Sequence, residues 1–132
     1  MISDWWLEMG SKINSFRDLE IWQLSHQAVL SIYELIKTIP KQEDFNIKAQ
    51  LIRAAVSIPT NIAEGMGRFS RKEFLQFLNI SRGSVEECKY LLLLCYDLNY
   101  ISKEHFENLS SNYDLIGKKI NSLINSIKEK IK

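Results

Sequence analysis

A chain of 132 residues with 45% hydrophobic and 25% charged side chains suits one domain built around one core, with the composition of an ordinary soluble protein. Its formal net charge of +1 supplies no strong overall field of the kind that draws nucleic acid or an acidic partner. The charge is unevenly spread: Lys118 to Lys132 holds five Lys and one Glu, a local +4 that leaves −3 for the remainder.

Residues 1–15 form an N-terminal extension without a clear period, in which Trp5, Trp6 and Leu7 are adjacent apolar residues. It either docks on the body or is disordered. Asp4 and Glu8 interrupt residues 1–10, which lack a basic region followed by a long apolar core, so no secretory signal is expected. Residues 16–132 read as a single helical domain, and nothing in them reads as strand.

The first helix is expected from about Asp18 to Ile39, because Trp22, Val29, Ile32, Tyr33 and Ile36 recur at helical spacing. Pro40 ends it, since the residue before a proline disfavours helical angles. His26 falls beside this apolar face and is expected as a hydrogen-bonded core residue rather than a ligand; the only other histidine is His105.

Lys41 to Phe45 is a short connection of the length that joins packed antiparallel helices. The second helix is expected from Asp44 or Asn46 to Glu64, with Leu51, Ala55, Ile58 and Ile62 as one apolar line and Ile52, Val56 and Ala63 as another. Ala54, Ala55 and Ala63 would let a neighbouring helix approach closely. Pro59 lies inside this run, where it removes one backbone bond and clashes with the Ala55 carbonyl at a cost of about 3 kcal/mol. A kink is expected there, relieved by the Ser57 or Thr60 hydroxyl. Arg53, Ser57, Asn61, Glu64 and Arg68 recur on one side of the same helix. This polar line is either a solvated face or a set of groups bonded to another helix or ligand, and Ser and Asn, poor helix formers, fit the second account. On that account Asn61 and Glu64 are withdrawn from water.

The chain leaves this helix through Gly65 and Gly67 and restarts at Ser70. Ser70 with Glu73 reads as a capping box, and Phe69 with Phe74 as a hydrophobic staple. The third helix is expected from Ser70 to about Asn99, with Phe74, Phe77, Leu78, Ser81, Val85, Cys88, Leu92 and Cys95 in period. Gly83 in its interior costs about 1 kcal/mol relative to Ala, which suggests a close packing contact. Leu91 to Leu94 point in all directions around a helix, so one core cannot hide them all. Leu91, Leu93 and Leu94 are therefore candidates for a subunit interface. Cys88 and Cys95 stand two turns apart, too far for a disulfide within one helix, and read as core thiols of a reducing cytoplasm.

After a turn at Asn99 to Ser102, a fourth helix begins with Ser102 as cap and Ile101 with Phe106 as staple. Leu109, Tyr113, Ile116, Ile120, Leu123, Ile127 and Ile131 form a near-heptad seam suited to shallow bundle packing. No run is long enough to span a bilayer. The whole predicts an all-α, antiparallel up-and-down four-helix bundle with its second helix kinked at Pro59.

Catalytic patterns are missing. Gly65-Met66-Gly67 lacks the spacing and preceding strand of a phosphate loop, no Cys/His cluster has zinc spacing, and there is no Glu-x-x-His motif for a di-metal site. Glu86 and Glu87 point about 100° apart around their helix, a poor acid/base pair. Neither catalysis nor a cofactor or metal is expected. One candidate site remains at the start of the third helix, where free backbone N–H groups and the positive dipole end meet Arg68, Arg71 and Lys72. That combination suits a phosphate; the alternative is that Glu73 satisfies the helix end and the cations are solvated. Lys118 and Lys119, with the lysines beyond them, are candidates for a second contact zone, or merely complement the helix dipole.

FRDLEIW at Phe16 to Trp22, RAAVSIPTNIAEGMGRFSRKEFLQFL at Arg53 to Leu78, SRGSVEE at Ser81 to Glu87 and DLNYI at Asp97 to Ile101 together make a pattern. It closely resembles the four-helix bundle proteins encoded in intervening sequences of bacterial 23S rRNA genes, and their stand-alone relatives, from about Phe16 to the end of the fourth helix. Residues 1–10 depart from that pattern, as an extra extension or an upstream start with Met9 as alternative initiator. The resemblance implies an antiparallel bundle, usually a homopentamer, with no known catalytic activity. Related bundle proteins accompany diversity-generating retroelements and contact nucleic acid and a reverse transcriptase. The expected protein is thus a cytoplasmic, self-associating binding module for structured RNA or a nucleoprotein; the alternative is a protein-interaction scaffold that binds no nucleic acid.

Overall fold

A computed structural model describes residues 13–131. The expectations for residues 1–10 lie outside these described residues. Four α-helices follow one another: α1 Glu20–Leu35, α2 Ile47–Met66, α3 Arg71–Asp97 and α4 Lys103–Ile131. Among the described residues there is no strand. Each helix packs antiparallel on the next and α4 closes back on α1, giving the up-and-down bundle that the apolar periodicities predict. This order is fixed by Val29 and Val56, which line one groove between α1 and α2, and by the pairs Ser57 with Ser84 for α2–α3, Lys89 with Asp114 for α3–α4, and Glu20 with Lys119 for α4–α1. No described helix is long and apolar enough to cross a membrane.

The helix ends follow local chemistry. Ser15 caps a 3₁₀ turn at Phe16–Asp18, its hydroxyl accepting from the Arg17 N–H at 3.2 Å while the Asp18 carboxylate accepts from the Ser15 N–H at 3.1 Å. Leu19 is extended, so α1 starts at Glu20 rather than Asp18. It stops at Leu35, and a 3₁₀ turn at Ile36–Thr38 carries the chain to Pro40. Ser70 caps α3 by accepting from the Glu73 N–H at 3.1 Å, and Ser102 caps α4 by accepting from the His105 N–H at 3.1 Å. Asn99 follows the cap of α3 with φ 62°, a left-handed conformation that Asn tolerates and that turns the chain towards α4. The expected Phe69 staple buries little: Phe74 is in the core, but Phe69 is 75% exposed. On α4, Ile101 is buried and Phe106 stacks on Tyr96 at 4.8 Å, which secures that helix start.

Three faces turn out rotated from the predicted lines. In α1 the buried set is Ile21, Ser25, Ala28, Val29, Ile32 and Leu35, while Tyr33 is exposed and Trp22 half-buried. In α4, Ile124 rather than Leu123 continues the seam, and Ile131 reaches solvent. Of the four leucines, Leu91 and Leu92 are both in the core, Leu94 packs partly against it and Leu93 is 43% exposed. Leu91 is thus unavailable to a partner subunit, contrary to expectation, because it lies one turn after Cys88 on the face that α3 buries.

The α2–α3 pairing is the most intimate of the four. α2 runs without interruption through Pro59, which is itself buried. The hydroxyl that reaches the backbone beside it comes from the partner helix: Ser81 donates to the Ile58 carbonyl at 2.9 Å. Ser57, expected to relieve the proline, instead accepts from Ser84 at 2.9 Å and from the Asn61 amide at 3.0 Å. At the end of the pair a Cβ on Gly65 would stand 2.6 Å from Phe77 Cβ and 2.8 Å from Phe74 Cδ1, so only glycine admits both phenylalanines. Burial pushes the Cys88 thiol up to about 12 and the Cys95 thiol up to about 11, marking both as inert core groups.

Replacing Gly65 with Ala is expected to cost about 1–3 kcal/mol through overpacking, read from the midpoint of urea unfolding; an unchanged midpoint would contradict the close approach. Native protein should resist thiol labelling near pH 8 and react at Cys88 and Cys95 only once unfolded. Both folded values exceed the 9.0 of an ordinary thiol, so the protonated thiols favour the fold. Their contribution is complete below pH 9 and is lost as the pH climbs towards 12. Rapid labelling of either thiol in the folded protein would show the core to be open.

Candidate functional site

The turn from α2 to α3 is placed by Gly65 and by the Ser70 cap, and it carries Arg68 and the first residues of α3. Arg68 is exposed, and its guanidinium lies over the Phe77 ring, 4.9 Å from the centroid. Arg71 is half-buried and Lys72 is exposed. The pairing of Arg82 with Asn121 and of Lys89 with Asp114 sets the α3–α4 register. Continued along both helices, that register brings the C-terminal turn of α4, with Lys128 and Lys130, to the end of the bundle where α3 begins. Two zones that look separate in the sequence therefore share one end of the fold. Acidic residues share it too, since Glu64 and Glu73 are exposed nearby.

Lys118 and Lys119 do not belong to that end. They sit mid-helix beside Val85, roughly 20 Å from the start of α3 at 1.5 Å per residue. Their fates differ. Lys119 Nζ is held 2.8 Å from the Glu20 carboxylate of α1, which neutralises it and ties α4 to α1. Lys118 is exposed on the other side, at the rim between α3 and α4.

The polar line of α2 divides as well. Ser57 and Asn61 are half-buried and bonded, Asn61 donating to the Ser57 carbonyl at 2.8 Å and to its hydroxyl at 3.0 Å. With Ser84 they form a hydroxyl–amide chain between α2 and α3, so these two residues are structural. Arg53 and Glu64 are exposed, and the expectation that Glu64 is withdrawn from water is corrected. Four turns of α2 drift across the rim of the interface, so a line of one side need not share one environment. His26 is also not a hydrogen-bonded core residue. It is half-buried and stacks on Trp22 at 4.8 Å and 10°, with Phe16 edge-on to Trp22 at 5.0 Å. These rings border an apolar groove with Pro59 and Ala63 of α2. Among the described residues no group of three His, Cys, Asp or Glu could hold a metal ion.

The feature that periodicity alone misses is a cleft between α3 and α4. It has a volume of about 570 Å³ and a polar lining in which Asn79, Arg82 and Lys89 face Asp114, Lys118 and Asn121. Gly83 and Gly117 open it, one from each helix. Gly83 is not in close packing, contrary to expectation: a Cβ there would meet nothing within 4 Å. The sequence signal was the glycine itself, costly mid-helix, but its spacing is equally consistent with a contact and with a gap. The Tyr113 hydroxyl lies beneath, buried beside the Cys88 thiol and without a well-formed hydrogen bond among the described residues.

Comparison with known proteins places this geometry. A family model described as 23S rRNA-intervening sequence protein matches residues 17–122. The chain is similar to a solved structure of a protein of unknown function from the S23 ribosomal protein family of Bacteroides thetaiotaomicron. The two are 30% identical with a TM-score of 0.74, and the match covers 79% of this chain and 97% of that one. No curated protein matches the sequence.

Gly83→Ala is expected to raise stability, because the new methyl enters open space and the helix loses a flexible residue. The gain should be about 1 kcal/mol, or a few degrees in Tm. A fall in Tm by differential scanning calorimetry would show that Gly83 is packed after all.

Proposed function

The chain belongs to the 23S rRNA-intervening sequence protein family, and from that premise we propose that it is a non-catalytic, self-associating binding module that contacts structured RNA or a nucleoprotein. The observation that carries the reading is the gathering of basic side chains at one end of the bundle. Arg68, Arg71 and Lys72 surround the capped N-terminus of α3, and Lys128 and Lys130 approach from the last turn of α4. A helix N-terminus contributes a partial positive charge and N–H donors to the same place. Net charge near zero does not oppose this, because contacts to phosphates depend on local cations. The name of the family associates it with ribosomal RNA, and that association comes to this chain as part of the proposal.

Self-association, as a homopentamer, is the second half of the reading. Leu93, exposed on the outer face of α3, and Leu94, half-buried beside it, support a subunit contact. Repetition of the basic end around a ring would add weak phosphate contacts through multivalency. Cytoplasmic placement accords with free, buried Cys88 and Cys95. A protein-interaction scaffold is the other reading, and the apolar groove at Trp22, Pro59 and Ala63 is what favours it.

Replacing Arg68, Arg71 and Lys72 with Ala should weaken binding of structured RNA across sequences and flatten its salt dependence by roughly one unit per lost contact. Fluorescence anisotropy from about 50 mM salt upwards measures both. A triple variant that binds as the parent does, with the same slope, would remove this end as the site. A parent that binds no RNA even at low salt would hand the assignment to the scaffold reading. Light scattering coupled to size exclusion should give several subunits, and Leu93→Lys should lower that number. A monomeric parent at working concentrations would end the assembly half of the proposal.

A further inference from the structure

The α3–α4 cleft is divided electrostatically. At one end Lys89 is held 2.8 Å from Asp114 and 3.5 Å from Glu86, so its charge is answered within the cleft. At the other end neither cation forms an ion pair among the described residues, although Glu86 and Asp114 of the same cleft stand one turn from Arg82 and Lys118. Arg82 is bonded only to neutral amides, Nη1 donating to Asn121 Oδ1 at 3.1 Å and Nη2 to Asn79 Oδ1 at 2.8 Å. Lys118, on the same rim, has no carboxylate partner among the described residues.

Those amide bonds do two things. They hold the guanidinium across the cleft in a fixed plane, with three of its five N–H donors still unused. They also consume the acceptor oxygens of Asn79 and Asn121, which leaves the Nδ2 groups as donors. With Glu86 and Asp114 paired to Lys89, the set that remains is rich in donors: a guanidinium, an ammonium and two amide NH₂ groups. Such a set matches an oxyanion with several acceptor oxygens. The glycines keep the space clear, and Gly83 does so where nothing else requires a glycine. A preorganised donor array loses little entropy when its ligand arrives.

We propose that the Arg82–Lys118 end of this cleft is a phosphate-binding site. Its phosphate comes either from an RNA backbone or from a free phosphate-bearing small molecule. In the first case the inference rests on the RNA reading and adds a contact roughly 20 Å from the basic end; in the second it is independent of that reading.

Inorganic phosphate tests the site directly. In two-dimensional NMR of the full chain, phosphate at constant ionic strength should shift the Gly83 and Gly117 amides and the Asn79 and Asn121 side-chain NH₂ signals, and the shifts should saturate. They should vanish in Arg82→Gln. Lys118→Gln, which removes no contact within the fold, should weaken them several-fold. Absence of localised shifts, or equal shifts at all lysines, overturns the proposal. Anisotropy with a hairpin RNA then identifies the source. A salt slope reduced by about one unit in each variant assigns the phosphate to the RNA backbone. An unchanged RNA affinity alongside lost phosphate shifts assigns it to a small molecule. Failure of the phosphate titration with RNA binding intact sinks this site and leaves the RNA reading standing; the reverse pair of results does the opposite.

Discussion

Gly65 against Phe74 and Phe77 is the contact on which the rest of the bundle depends. The missing side chain lets α2 and α3 meet at their shared turn, and the meeting fixes where α3 begins and at what rotation. Given that rotation, Ser81 reaches the Ile58 carbonyl and Ser84 reaches Ser57 further along the pair. α4 then lies where Arg82 and Lys89 can bridge to Asn121 and Asp114. A bulkier residue at the turn would have to open the pair at its base, and every later cross-helix bond would be displaced with it. The proline in α2 is tolerated for the same reason. The loss of one backbone bond costs about 3 kcal/mol in a free helix, but here the helix is locked against a neighbour on its buried side.

Much of this was readable in the sequence because the signals are local. Pro40, Ser70, Asn99 and Ser102 act on their own few residues, and the ends at the last three fall within a residue or two of where those punctuators put them, whereas α1 stops at Leu35, four residues short of Ile39, and a 3₁₀ turn covers the gap to Pro40. The line Leu51, Ala55, Ile58 and Ile62 is buried as its spacing requires. What could not be read is rotation. Trp22 and Ile21 are both apolar and differ by about 100° around the helix; only the neighbouring helices decide which one enters the core. Leu123 and Ile124 pose the same choice on α4. At Leu91 the signal is in the sequence, for Leu91 and Leu92 lie three and four residues after Cys88 and four and three before Cys95, the spacing of a single buried face. A buried arc wide enough for two consecutive residues takes two of the four leucines, and the phase set by the cysteines says which two.

The candidate sites were legible to a different degree. Arg68, Arg71 and Lys72 are close in sequence, and so they are close in space. Lys128 and Lys130 join them only because α3 and α4 are antiparallel and nearly equal in length, which is a property of the assembled bundle. Lys118 and Lys119 show the limit most plainly. They are adjacent in the chain, yet about 100° of helix rotation sends one to Glu20 of α1 and the other to the α3–α4 cleft. Counting the C-terminal lysines as one charged block hides that one of them is an internal tie and its neighbour is available to a ligand.

The two glycines with opposite surroundings make the same point about cost. Gly65 and Gly83 each give up the stability that a side chain confers on a helix. At Gly65 the return is visible in the fold, as two phenylalanines packed against the α2 backbone. At Gly83 the fold receives nothing: the space over its Cα is open, and alanine would serve the helix better. The same span of α3 carries Arg82, an arginine whose charge is left without a carboxylate while Lys89, two turns on, has two. An empty space and a cation without an ion pair side by side are each a small loss to the isolated bundle. A bound anion turns both into gains, since it needs the room that Gly83 leaves and the charge that Arg82 and Lys118 hold in place.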